Sequence, residues 1–153
     1  MKHKSFLGNL TGRVVVGRLL GGTDLFEGIE ELCDQYNIRY GFLLCHGSLL
    51  KAGMEIITGK LGEVREYEKE STGQVICAIG TICERENGER DLHIHACLND
   101  ELCHFYGGHL IKGRCPVFST LDVIIIEIKG GKMLRKYDKE TGRIEFSPEP
   151  NSY

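Results

Sequence analysis

The chain has 153 residues, of which 41% are hydrophobic and 27% charged, with a formal net charge of −3. That length suits one domain able to bury roughly two-thirds of its unfolded surface, and the composition argues against disorder. The small negative charge disfavours a nucleic-acid partner, because phosphate neutralisation needs a basic surplus, and no apolar run approaches the ~20 residues that cross a bilayer.

Residues 13–20 (RVVVGRLL) are β-branched and apolar, as a buried strand requires. Gly21-Gly22-Thr23 then turns the chain, and Asp24 caps a helix with Glu27 in capping-box position. Leu25, Ile29, Leu32, Cys33 and Tyr36 recur at helical spacing and give one amphipathic face through about Asn37. Four β-rich runs follow, at 39–45, 50–57, 74–83 and 90–98, punctuated by glycines, with Asn87-Gly88 as a hairpin turn. The charged stretch 60–72 reads as a loop. Residues 121–128 (LDVIIIEI) form another strand, too apolar for an exposed edge. From Gly130 the chain reads as a short hairpin around Glu140-Thr141-Gly142 and then a loose tail through Pro148 and Pro150. One strong helix among many short strands predicts an α+β fold: a mostly antiparallel or mixed β-sheet with the helix packed on one face. The expected organisation is a single domain over 1–153.

Seven cysteines (Cys33, Cys45, Cys77, Cys83, Cys97, Cys103 and Cys115) contain no C-x-x-C pair, which argues against a structural zinc site. The start, Met1-Lys2-His3-Lys4, is basic, but Gly8 and Asn9 interrupt Phe6 to Leu10, leaving a segment too short and polar for a secretory core. The expectation is a cytoplasmic protein with reduced thiols. In apolar surroundings such as Val75-Ile76-Cys77-Ala78-Ile79, cysteine behaves as a small hydrophobe. The basic cluster Lys129, Lys132, Arg135, Lys136 and Lys139 is diluted by Asp138, Glu140 and Glu145, and reads as a solvated tail.

The chemically loaded stretch is Asp91-Leu92-His93-Ile94-His95-Ala96-Cys97, followed by Gly107-Gly108-His109. On a strand, residues i and i+2 leave the same face, so His93 and His95 project side by side, as two imidazoles must to reach one ion at ~2.0–2.1 Å. His109 is the candidate third ligand, its two preceding glycines allowing a tight turn and close approach. Three imidazoles would leave zinc, or another divalent transition metal, one open position for a small-molecule ligand. Against this stands the simpler account that two surface histidines on a strand need no metal.

From Arg13 to about Ile128, three-quarters of the chain resembles the PPC domain, also called the DUF296 or PD1-like domain. The matching segments are RVVVGRLLGGTDLFEGI, the small-residue stretch from Gly41 to Ser48, Gly80-Thr81-Ile82, DLHIHACLND and GGHLIKGRC. The C-terminal hairpin and tail, 129–153, lie outside the likeness. The resemblance implies a homotrimer, a fold similar to that of acetolactate decarboxylase, and histidines that can hold zinc at His93, His95 and His109. Two departures stand out. Gln74 occupies a position where the family often has glutamate, and Lys112-Gly113-Arg114-Cys115-Pro116 is not an AT-hook.

Other residues are weaker candidates. His46 follows Cys45 on a strand, where neighbours face opposite ways, so the two do not form a nucleophile pair. His104 is a possible fourth ligand in an expected loop, and Cys97 lies ~13 Å along the strand from His93. Asp91 and Glu101 are candidate carboxylates for orienting imidazoles. Gly21-Gly22-Thr23 lacks the pattern of a phosphate loop. Three functions remain open: a metal-binding or regulatory module, a zinc-dependent lyase or hydrolase acting on a small acid or ester, and a DNA-associated protein.

Overall fold

The computed structural model describes Leu7, residues 12–57 and residues 63–151. Its elements are β1 (Val14–Leu20), α1 (Leu25–Gln35), β2 (Gly41–Ile57), β3 (Val64–Arg85), β4 (Arg90–Asn99), β5 (Phe105–Leu110), β6 (Val117–Glu127), β7 (Gly131–Asp138) and β8 (Arg143–Pro150). The helix begins where Asp24, in extended backbone, accepts a hydrogen bond from the Phe26 amide at 3.0 Å. The second carboxylate oxygen of Asp24 accepts from the Cys115 amide at 2.9 Å, so the cap also ties the helix to the segment before β6. Leu25, Phe26, Ile29 and Cys33 are buried along one stripe. The helix stops at Tyr36, and Asn37 takes φ 51°, a conformation its short polar side chain tolerates.

The strands form one eight-stranded sheet in the order β1-β6-β2-β5-β4-β3-β7-β8, with an additional β2–β3 pairing. Neighbours run antiparallel except β3 and β7. The expected α+β class, a mixed sheet with a helix packed on it, is therefore what the chain adopts. One edge of β2 pairs with β3 from Gly41 to Ile57; the other pairs with β6 and then, at Met54 and Glu55, with β5. The circuit β2-β3-β4-β5 thus returns to β2, and its interior is filled by side chains such as Leu43, Met54, Ala78, Ile94, Leu98 and Leu110.

Several sequence expectations change. The runs 39–45 and 50–57 belong to one strand, β2, because Gly47 at φ 147° sits in a bulged register and does not end it. The stretch 60–72 is not a loop from Val64 onward: Val64 to Glu70 pairs with Ile57 to Lys51. Its charges misled because this arm of the β2–β3 hairpin is largely solvent-facing, with Tyr67 half-buried among exposed neighbours. The loose tail is also a strand. Pro148 pairs with Met133 and Pro150 with Gly131, and β8 lies at the sheet edge, where a missing amide proton is tolerated. Residues 60–62, and the start from Met1 to Leu10 apart from Leu7, fall outside the described residues. Among the described residues no helix is long and apolar enough to cross a membrane.

Cys33, Cys45, Cys83 and Cys115 are buried as small hydrophobes. Burial pushes the Cys45 thiol up to about 12 and the Cys33 thiol up to about 11, leaving both as inert thiols at neutral pH. Cys77 departs from expectation: it is exposed, like its neighbours Ile76 and Ile79, so apolar company on this strand does not mean burial.

Glu127, at the end of β6, closes the β1 side of the sheet. It accepts from the Arg13 backbone amide at 3.1 Å and from Nε and Nη2 of that side chain at 3.0 and 2.9 Å. The Arg13 bonds hold its carboxyl down at about 2, below the ~4.3 of an unfolded glutamate. A folded value below the unfolded one means stability that is present above the unfolded value and lost as pH falls toward 2. Glu127→Gln should therefore lower the melting temperature at pH 7, and the gap from the parent should close as pH falls from 5 toward 2 in thermal melts.

Candidate metal centre

The site grows from the alternation of β4. Ile94, Ala96 and Leu98 point inward and are buried, so His93, His95 and Cys97 point outward. On the same outer face, β3 sets Thr81 opposite His93 and Ile79 opposite His95, while β5 sets His109 opposite His95. The three imidazole rings come together with centroids 4.9 Å (His93–His95), 4.5 Å (His93–His109) and 5.2 Å (His95–His109) apart. One ring nitrogen from each lies within 4.8 Å of the others.

The glycines before His109 act differently from the expected turn. Gly107 and Gly108 lie within β5, and neither needs a positive φ. Their role is close approach: a Cβ at Gly107 would sit 2.1 Å from the Ala96 carbonyl oxygen. The Tyr67 hydroxyl donates to the Gly107 carbonyl at 2.7 Å and ties β5 to β3. This packing places His109 level with His95.

The electrostatics favour neutral rings at His93 and His109. Burial pulls His93 down to about 4, helped by the Arg135 charge and the two neighbouring histidines and opposed by Asp91. Burial also lowers His109, against the pull of Glu55, whose Oε1 lies 3.4 Å from His109 Nε2. Neutral imidazoles are the form that ligates metal, since no proton must be displaced first.

The donor set fits a divalent transition metal. Tetrahedral zinc with N ligands at 2.0–2.1 Å holds them about 3.3 Å from one another, and the Nε2 atoms of His93 and His95 are 3.1 Å apart. Without an ion, that contact is one ring donating N–H to the other. The wider spread of the full set, up to 4.8 Å, is within reach of small side-chain rotations.

The remaining candidates fall elsewhere. His104 is exposed in the turn after β4, 3.5 Å from Asp100. His46 is exposed near Asp122, at 3.8 Å, among the residues of β1, β2 and β6. Cys97 pairs in register with Cys77 and Gly107, and Glu101 lies in an exposed turn. Gln74 pairs with Asn99 and Ser48, five residues along β3 from the partner of His95, so the missing glutamate does not alter the histidine cluster. Gly21-Gly22-Thr23 is a turn, with Gly22 at φ 90°. Asp91 does reach the site: it bonds Arg85 at 2.6 Å and stands beside His93.

Two residues near the histidines escaped the sequence. Glu55 meets His109 only because β2 pairs with β5 at Met54–Leu110 and Glu55–His109, a long-range contact with no local signature. Arg135 was counted in a solvated basic cluster, yet it is 9% exposed and lines a cavity of about 350 Å³ with His93 and His109.

A family model for the Plants and Prokaryotes Conserved (PCC) domain matches residues 8–129. A plant- and prokaryote-conserved protein from Pyrococcus horikoshii is 24% identical, with TM-score 0.81 over 96% of this chain and 97% of that one. A metal-containing protein from Archaeoglobus fulgidus is 24% identical, with TM-score 0.80 over 95% of this chain and 99% of that one. Bifunctional protein GlmU of Synechococcus sp. (strain JA-3-3Ab) is 26% identical over 135 residues, 88% of this chain and 20% of that protein. The chain thus spans about a fifth of the length of the curated relatives it matches.

Gly107→Ala should force β5 from β4, cost about 1–3 kcal/mol in urea denaturation, and displace His109 from the cluster. Gly113→Ala, a control where a Cβ meets nothing within 4 Å but φ is 79°, should cost less.

Proposed function

We propose that this chain, which belongs to the Plants and Prokaryotes Conserved domain family, is a metal-binding module whose His93, His95 and His109 hold zinc or another divalent transition metal. One position is left open for a small-molecule ligand. The observation that carries this reading is the convergence of three imidazoles within 4.8 Å on the outer face of β4 and β5, two of them, His93 and His109, inclined toward the neutral form. The metal-containing description of the Archaeoglobus fulgidus protein supports it.

A bound ion of this kind supplies Lewis acidity toward a carbonyl or a water. The chain's own residues do the positioning. Glu55 sits beside His109 at 3.4 Å, where it can fix the ring by accepting its N–H. Asp91, bonded to Arg85, places negative charge beside His93. The open position and the cavity around it favour a second reading, a zinc-dependent lyase or hydrolase acting on a small acid or ester. A DNA-associated role gains no support from this site, because Arg85, Arg90 and Lys112 are each paired with an acid. A cytoplasmic setting suits its free cysteines.

Assembly as a homotrimer belongs to the same proposal. Across the outer face, Val16 stands opposite Ile124, Ile124 opposite Leu44, and Leu44 opposite Ile79, each exposed in the single chain. A continuous apolar row across four strands is the surface that self-association would cover. It ends beside His95.

Two outcomes test these readings. Protein purified without a histidine tag should carry about one transition-metal ion per chain by elemental analysis, and the triple alanine variant of His93, His95 and His109 none; equal metal content in both would refute the site. In sedimentation velocity, Leu44→Asp and Ile124→Asp should each convert the trimer to monomer, while a parent that sediments as a monomer removes the trimer.

A further inference from the structure

We propose that Arg135 anchors the carboxylate of a small organic acid bound at the histidine site, so that the module's ligand is an anion held between the ion and this guanidinium. The inference rests on the metal-site reading above. It comes from a residue that lies beyond the matched family segment, on a strand the sequence marked as surface.

β7 joins β3 through a short parallel pairing, Glu84 with Leu134 and Arg85 with Arg135. This places the Arg135 side chain against the outer face of β3, where its Nη2 lies 3.4 Å from the Thr81 hydroxyl. Thr81 is the residue opposite His93. The side chain is 9% exposed, and its Nε has no hydrogen-bond acceptor among the described residues. The nearest carboxylate oxygen, Asp91 Oδ1, is 3.9 Å away, too far for a hydrogen bond, and Asp91 is already engaged by Arg85 at 2.6 Å.

Burying a guanidinium, with five donors, against one long bond is costly unless something fills the rest. What it faces is the cavity it shares with His93 and His109. The other cations lining that cavity are compensated: Arg90 by Asp34 at 2.7 Å, Lys112 by Glu30 at 2.6 Å, and Arg85 by Asp91. A divalent ion on the histidines would add positive charge beside Arg135, and an anion touching both would relieve the repulsion. The planar fork of arginine matches a carboxylate with two parallel bonds, and about 350 Å³ suits an acid of a few carbons.

The test uses full-length protein loaded with cobalt(II), whose visible spectrum reports changes at the ion, titrated with pyruvate and lactate and with their neutral methyl esters. The parent should bind at least one acid saturably and the matching ester at least tenfold more weakly. Arg135→Met should keep its cobalt stoichiometry and weaken the acid at least tenfold while leaving the ester unchanged. Arg135→Lys should fall between, and Lys112→Met should stay within twofold of the parent. Acid binding unchanged in loaded, folded Arg135 variants overturns the proposal, as does loaded parent that ignores both acids or takes the esters equally well. Circular dichroism and melting temperature establish folding; if both variants unfold, the acid-to-ester ratio in the parent decides. A parent that takes up no cobalt fails at the metal site itself, an outcome distinct from a loaded parent indifferent to acids, and it removes the inference with it.

Discussion

Over its seventeen residues β2 pairs with β3 along one edge and with β6, then β5, along the other, and the positions of His93, His95 and His109 depend on that double pairing. The switch from β6 to β5 on one edge draws the circuit β2-β3-β4-β5 closed around a core of aliphatic side chains. Because the inside is packed with residues such as Ile94, Leu98 and Leu110, all fully buried or nearly so, a one-residue slip of β4 would drive imidazoles into the core. The register that keeps the core dry is the same register that keeps His93 and His95 outside and level with His109.

Charge around the cluster follows a consistent plan. Partial burial and neighbouring positive charge keep His93 and His109 inclined toward the neutral form, whereas Glu55 and Asp91 lie close enough to moderate that effect. Ion pairs on the rim hold Arg85, Arg90 and Lys112 in place. The result is a concave patch that is polar without being a free field of one sign, and beside it Nε of Arg135 is buried with no acceptor among the described residues.

Much of this was legible from local pattern. Asp24 and the i, i+4 stripe from Leu25 announced the helix, and the alternation of Leu92, Ile94 and Ala96 against His93 and His95 gave both the strand and the face its imidazoles occupy. Where sequence reasoning failed, the deciding contact was nonlocal or the charge signal pointed the wrong way. Val64 to Glu70 looks like loop because a hairpin arm exposed on most of its positions can be charged and still be strand. Glu55 and Arg135 carry no mark of their neighbours, since β2–β5 and β3–β7 pairing bring together residues separated by about a third of the chain. Gly107 was rightly expected to permit close approach, but the approach is of two strands and not of a turn.

The edge strand β8 constrains how copies of this protein can meet. Pro148 and Pro150 occupy positions of the same parity, so two donors are missing from one side of the strand. Proline on an edge strand is one of the devices by which sheets discourage pairing with a further strand. The opposite edge, β1, carries no proline, so the two ends of the sheet differ in how readily a further strand could pair with them.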